Sequence, residues 1–200
     1  SQGFRAPQFF SEDVHSEIIV GETRNVMLSS NIKEEKSHSF IASVEYSHKN
    51  NDQQFLVTLE GFYTQINNPF IYEDRGTDVN GLLVKEKING DKATVNGFNL
   101  EVKYSPNAKF SAQLSGTAQN SYYANYYEPE NGIVTNKILR TPQIYGNAMI
   151  NFKPTKKWEL NLNSVLTGTM YTPHLEGYIN NTVLEETPTM LDIGFNTGYT

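Results

Sequence analysis

Residues 110–119 read Phe110-Ser111-Ala112-Gln113-Leu114-Ser115-Gly116-Thr117-Ala118-Gln119. In an extended chain Phe110, Ala112, Leu114, Gly116 and Ala118 fall on one side, and Ser111, Gln113, Ser115, Thr117 and Gln119 on the other. This period of two is the pattern of a β-strand with one apolar and one polar face. Working outward, residues 39–46, 55–64, 97–104, 144–152, 158–170 and 191–199 repeat it. No position on the apolar sides of these segments is charged.

The connections alternate as well. Short links at 49–54, 105–109 (with Pro106-Asn107) and 153–157 (around Pro154) predict antiparallel hairpins, because parallel neighbours need a long crossover. Between the hairpins lie long links at 65–96, 120–143 and 171–190, rich in Asn, Tyr, Glu, Gly and Pro. The expectation is an all-β, antiparallel up-and-down meander of about seven long strands, with tight turns at one end and long loops at the other. Ser11 to Lys36 shows no persistent period and reads as an extended surface loop. Within it Ser11 is a potential cap for a short helical turn, since Glu12 and Asp13 suit a helix N-terminus.

Composition narrows the class. Of 200 residues 38% are hydrophobic, 19% charged and 12% aromatic. Such aromatic richness argues against a disordered chain. The longest aliphatic stretches, near Ile18 to Val20 and Leu82 to Val84, fall far short of a membrane helix. A net charge of -6, with no basic cluster beyond Lys156-Lys157, leaves no footprint for nucleic acid. The lack of cysteine excludes disulfides, thiolate metal sites and a cysteine nucleophile. The opening Ser-Gln-Gly-Phe-Arg-Ala-Pro is not a secretion signal, so any such signal is expected upstream.

Two architectures alternate in this way: a soluble sandwich with its apolar side inward, and a membrane barrel with that side toward lipid. Several strands approach the 9–11 residues that cross a bilayer, against a usual 5–6 in soluble sheets. The polar sides carry mostly Asn, Gln, Ser and Thr, with a few charges at Glu45, Glu60, Glu101, Lys103, Glu159 and Asp192, as suits a wet lumen. Tyr46, Phe55, Tyr104, Phe110, Phe152 and Trp158 adjoin the short turns, where a barrel places its aromatic girdle. The barrel is therefore preferred. Seven strands do not close one, since bacterial barrels use an even number from 8 upward, so the chain is expected to be a fragment.

Several stretches resemble the barrel of a TonB-dependent outer-membrane receptor, in particular its C-terminal part. These are Gly3-Phe4-Arg5-Ala6-Pro7 with the following Ser11-Glu12-Asp13-Val14-His15; Asn31 to Ser37, with Glu34 in place of the usual Pro; and Leu59 to Pro69. Val95 to Glu101, with Asn99 where Glu is commoner, and Arg140-Thr141-Pro142 continue the series in family order. The resemblance implies part of a 22-stranded transmembrane β-barrel. Residues 1–200 would be a partial barrel domain, with the plug and terminal strands outside this sequence. It further implies active import of a scarce nutrient: a metal chelate, cobalamin, a glycan or a peptide. The implied partners are outer-membrane lipid, the receptor's own plug and remaining strands, TonB through an N-terminal segment outside this sequence, the nutrient, and optionally a surface lipoprotein. Location in the bacterial outer membrane follows from the same resemblance. No cofactor is expected.

The alternatives are a soluble all-β binding module such as a jelly roll and an outer-membrane hydrolase. Enzyme signals are poor. His15, His38, His48 and His174 fall in loops or at strand ends without the i, i+4 spacing of a helical zinc site. Ser30-Asn31-Ile32-Lys33 fits S-x-x-K but lacks its companion motifs. Asp78-x-Asn80-Gly81 lacks an EF-hand's first ligand and closing Glu, which leaves only loose calcium binding by Glu73, Asp74 and Asp78. Glu45, Glu60, Glu101 and Glu159 suit lumen lining better than paired acid and base. No catalytic or metal residue is assigned. Tyr72, Tyr126, Tyr127, His174 and Tyr178 in the long links are the candidate ligand contacts, because exposed aromatic rings stack on a ligand's apolar surface.

A substitution pair separates the barrel from the sandwich. Leu114→Arg is expected to cost about 2 to 4 kcal/mol if Leu114 faces the bilayer midplane, whereas Gln113→Arg is tolerated. Heat-stable folded barrel in outer-membrane fractions measures both, and equal assembly of the two variants contradicts the barrel.

Overall fold

The computed structural model describes residues 1–7, 24–130, 132–174 and 183–199. Its main sheet takes β1 (Gln2–Arg5), β3 (Glu35–Asn50), β4 (Gln53–Asn67), β7 (Lys92–Asn107), β8 (Phe110–Glu130), β10 (Ile144–Phe152), β11 (Trp158–Thr167) and β14 (Met190–Tyr199) in that spatial order. Every neighbouring pair is antiparallel. A further strand, β9 (Ile133–Lys137), pairs with the distal part of β8. The sheet is open, with β1 and β14 at opposite ends of the path.

All seven expected strands are present. They are joined by β1, which pairs with β3 through Gln2–His38 to Arg5–Glu35 and makes the path eight strands long. Several boundaries shift. The second and third short turns of the meander fall where foreseen, and at the first, Asn51 adopts φ 49°, the left-handed conformation a two-residue hairpin demands and asparagine tolerates. At the other end the strands run on. β8 has 21 residues, about 70 Å of extended chain, where about 9–11 would cross a bilayer. β11 stops at Thr167 rather than residue 170.

The stretch expected as a loop from Ser11 to Lys36 contains a strand, β2 (Arg24–Leu28), and Glu35 and Lys36 begin β3. β2 pairs in parallel with β6 (Leu83–Asn89), which pairs antiparallel with β5 (Phe70–Thr77). Two long connections thus build one three-stranded sheet. No local period announces it, because its pairing joins residues about sixty positions apart. A separate ribbon joins β12 (Tyr171–His174) to β13 (Val183–Glu186). The suggested cap at Ser11, with Glu12 and Asp13, lies outside the described residues, as does His15.

Register converts the sequence alternation into two continuous faces. One row runs Val44–Leu59–Leu100–Gly116–Gly146–Leu166–Leu191, and the next Tyr46–Val57–Val102–Leu114–Ala148–Ser164–Ile193. Phe40, Val44, Leu59, Phe98, Leu114, Ile193 and Phe195 on this side are all exposed, and among the described residues no second layer covers them. A sandwich would bury this face. From Phe55 to Tyr63 the apolar side covers nine residues of β4, matching a hydrocarbon crossing. At the tight-turn end Phe55 meets Tyr46 and Tyr104 edge-on with centroids 6.3 Å apart, and Trp158 lies 5.0 Å from Tyr199.

Glycines and phenylalanines interlock between β4 and β7. Gly61 pairs with Phe98 on the apolar side and Phe62 with Gly97 on the other. A Cβ on Gly97 would collide with the Ala118 carbonyl oxygen, whereas one on Gly116 would meet its nearest neighbour, the Tyr145 oxygen, at 3.8 Å. Gly97→Ala is therefore expected to cost about 1 to 3 kcal/mol through overpacking, and Gly116→Ala much less. Midpoints of urea unfolding in detergent measure the difference.

Candidate functional site

The polar side of the sheet carries a ladder of side-chain hydrogen bonds, made possible because antiparallel register sets these residues directly opposite one another. Asn99 Nδ2 donates to Glu60 Oε1 at 2.7 Å, and Thr117 Oγ1 donates to Asn99 Oδ1 at 2.8 Å, linking β4, β7 and β8. Lys103 Nζ sits 2.7 Å from Glu101 Oε1, which also accepts from Gln113 at 3.2 Å. Ser115 bonds Asn147, Thr64 donates to Ser39 at 2.9 Å, and Lys153 lies 3.5 Å from Glu159. The carboxylates Glu60, Glu101 and Glu159 thus have polar or cationic neighbours on adjoining strands or turns. Thr58, Glu60, Asn99, Glu101, Tyr145 and Asn147 line an open trough on this side.

Beyond the apolar belt β5 of the β2–β6–β5 sheet packs against β8. Apart from Gly168, the few buried residues of the described chain gather there and in β9: Pro69, Ile71, Val84, Ala93, Ile133, Lys85, Lys87 and Thr135. Ala93 is completely enclosed, and it shares the parity of Asn99 and Glu101, which puts it on the polar side of β7. Lys85 Nζ reaches the Pro129 carbonyl oxygen at 3.2 Å, fastening β6 to the end of β8. Lys87 is 1% exposed, with its ammonium 4.8 Å from the Phe70 ring centre and 5.7 Å from that of Tyr72.

The candidate ligand contacts fall in different places. Tyr72 sits on β5 beside Lys87. Tyr126 is 71% exposed on β8. Tyr127, its neighbour, is half-buried, packs edge-on against Tyr123 at 4.7 Å and donates to the Lys137 carbonyl oxygen at 3.3 Å. His174 belongs to the separate β12–β13 ribbon, where Nδ1 lies 3.0 Å from Glu185 Oε2. Tyr178 lies outside the described residues. Burial gives Tyr127 a packing role, and among the described candidates Tyr126 is the exposed ring.

The suggested calcium loop is otherwise engaged. Asp74 Oδ1 accepts from Gly76 N–H at 2.8 Å, and Asp78 Oδ1 accepts from Asn80 and Leu82 N–H at 2.8 and 2.9 Å. Glu73 pairs with Arg75 at 3.0 Å. Among the described residues no cluster of metal-ligating side chains is found. The Leu82 N–H, foremost, holds the Asp78 carboxyl below its usual range, so this hairpin tip keeps its anchor until acid protonates it.

Lys85, Lys87, Phe70 and Arg5 were not foreseen as a group. The available signal was Leu83-Val84-Lys85-Glu86-Lys87-Ile88-Asn89, in which Lys85 and Lys87 share one side of a strand. Charged residues on such a side ordinarily read as solvated.

Comparison with known proteins decides the family. A family model for the TonB-dependent receptor-like β-barrel matches residues 1–200. The chain belongs to this family. None of the curated proteins matches the sequence. Among solved structures, the siderophore receptor PirA from Acinetobacter baumannii superposes with a TM-score of 0.55 at 14% identity over 86% of this chain and 27% of its own. A mutant ferric enterobactin receptor, PfeA from Pseudomonas aeruginosa, gives 0.56 at 19% identity over 86% and 25%. The copper transporter OprC gives 0.60 at 10% identity over 100% and 28%. This TonB-dependent receptor barrel segment spans about a quarter of those structures' length. At such identities the likeness is one of fold. These relatives are named as receptors or transporters, not enzymes.

Burial, then the neighbouring Tyr123, pushes the Tyr127 hydroxyl well above the usual tyrosine range. A raised folded-state value means that its contribution is complete below about pH 10 and is lost as pH rises further. The β8–β9 hairpin is thus expected to open in alkali. Tyr127→Phe should cost about 1 kcal/mol at neutral pH and remove that alkaline opening. Proteolytic cleavage of the hairpin as a function of pH checks both.

Proposed function

We propose that the chain is a partial barrel domain of an outer-membrane active transporter, with plug and terminal strands outside residues 1–200. The observation that carries this reading is the continuous exposed apolar face backed by a hydrogen-bonded polar face, in a chain of this family. Only a hydrocarbon surround makes such exposure favourable without a second protein layer. The polar side then lines the lumen, where Glu60, Asn99 and Thr117 face the plug and any passing solute.

The apolar side of the strands meets outer-membrane lipid, and the remaining barrel strands continue from β1 and β14. The plug would draw on TonB for energy through its N-terminal segment. The cargo is a scarce nutrient: a metal chelate, cobalamin, a glycan or a peptide. The superposing structures include a siderophore receptor, a ferric enterobactin receptor and a copper transporter, which favours a metal or metal chelate. Tyr72, Tyr126, Tyr127, His174 and Tyr178 remain the outer-surface contact set, with Tyr126 the strongest member. A surface lipoprotein would dock on this same outer side.

The test is uptake by cells whose only copy of the full-length receptor is deleted or restored. Restored cells are expected to regain energy-dependent accumulation of one of four probes: a ferric siderophore, cobalamin, an oligosaccharide or an oligopeptide. Tyr126→Ala should weaken binding of that probe about tenfold, in keeping with loss of one stacked ring and its apolar contact. Equal accumulation of all four with and without the receptor contradicts import. Turnover abolished by Glu60→Gln alone would instead indicate a hydrolase.

A further inference from the structure

The place where the outer β2–β6–β5 sheet meets the wall is built around one aromatic ring. Phe70 opens β5 immediately after β4 leaves the wall at Asn67, and Asn68 between them adopts φ 52°. Its backbone N–H donates to Glu35 Oε2 at 3.1 Å. The guanidinium carbon of Arg5, the residue opposite Glu35 in the β1–β3 register, lies 5.1 Å from the Phe70 ring centre. From the outer sheet the Lys87 ammonium approaches the same ring at 4.8 Å. Phe70 therefore takes a hydrogen bond to β3, a cation from β1 and a cation from β6. A cation over an aromatic face is stabilising, more so when water is excluded, and Lys87 is almost fully enclosed.

Two further sets of bonds brace the same junction. Asn89 Nδ2 donates to the Lys33 and Asn68 carbonyl oxygens at 3.0 and 2.9 Å, while Lys33 N–H donates to Asn89 Oδ1 at 2.6 Å. From the central strand, β6, Lys85 holds the Pro129 carbonyl oxygen at the end of β8. The sheet's hairpin tip is closed by Asp78, which leaves Val79 wholly exposed at the end of a braced element.

We propose that the β2–β6–β5 sheet is a fixed shelf over one side of the lumen mouth, and that Arg5, Glu35 and Phe70 are the positioning residues that hold it to the wall, with Lys87 clamping the Phe70 ring from within the sheet. Cargo then enters past the opposite side, and any loop that closes over it belongs to another part of the mouth. A freely hinged lid of the same sequence would need a junction that solvates when it opens. Here opening would break the Phe70 N–H bond to Glu35 and part the Phe70 ring from Arg5.

The experiment is a distance measurement between nitroxide labels on the intact receptor in detergent. Labels go on Val79→Cys at the hairpin tip and His48→Cys at the tight-turn end of β3, in a 200-residue segment with no competing cysteine. The wild-type junction is expected to give one narrow distance distribution. Phe70→Leu should broaden it about twofold, and Phe70→Tyr, which keeps the ring, should leave it narrow. A broad wild-type distribution, or a narrow one in Phe70→Leu, overturns the shelf. If Phe70→Leu does not assemble, Arg5→Leu removes one cation from an exposed position without opening a cavity, and the same two readings decide.

Discussion

Backbone amides on a strand that faces hydrocarbon have no water to bond, so each must find a partner in a neighbouring strand. The eight-strand path meets this demand through unbroken antiparallel ladders from β1 to β14. Once register is set that way, parity does the rest. A slip of one residue would send Leu59 to the polar side and Glu60 to the apolar side. The tight turns at one end pin the register, and the left-handed Asn51 is one of the pins.

The same parity organises the polar side. Glu60, Asn99 and Thr117 meet because they are cross-strand neighbours, as are Lys103 and Gln113, and their bonds keep carboxylates and amides satisfied along a wet wall. Exposed ion pairs such as Lys153 with Glu159 add little to stability. Their effect is to set the charge pattern that a plug or a solute would meet.

Beyond the belt a different principle takes over. Freed from lipid, the strands continue and their connections fold into a small three-dimensional body with its own buried residues. Its interior is unusual in enclosing Lys85 and Lys87 together with Ile71, Val84 and Ala93. A buried cation is costly unless its charge is met. The rings of Phe70 and Tyr72 and the Pro129 carbonyl oxygen provide for that. This outer body links β1, β3 and β8 to one another above the sheet, which the wall's nearest-neighbour ladder alone does not do.

Alternation of period two was local enough for the sequence by itself to determine the seven wall strands, their antiparallel order and which side of each is apolar. Leu114 against Gln113 already states it. The aromatic residues beside the short turns were legible for the same reason. Only the tertiary structure decided the outer sheet, because its pairing of residues 24–28 with 83–87 joins segments separated by two entire wall strands. Lys87 illustrates the limit: in the sequence it is one charge among alternating charges, and its enclosure arises with Phe70 and Tyr72 brought alongside by β5. Periodicity reports which face a residue takes, whereas burial of a charge depends on what the rest of the chain lays over it.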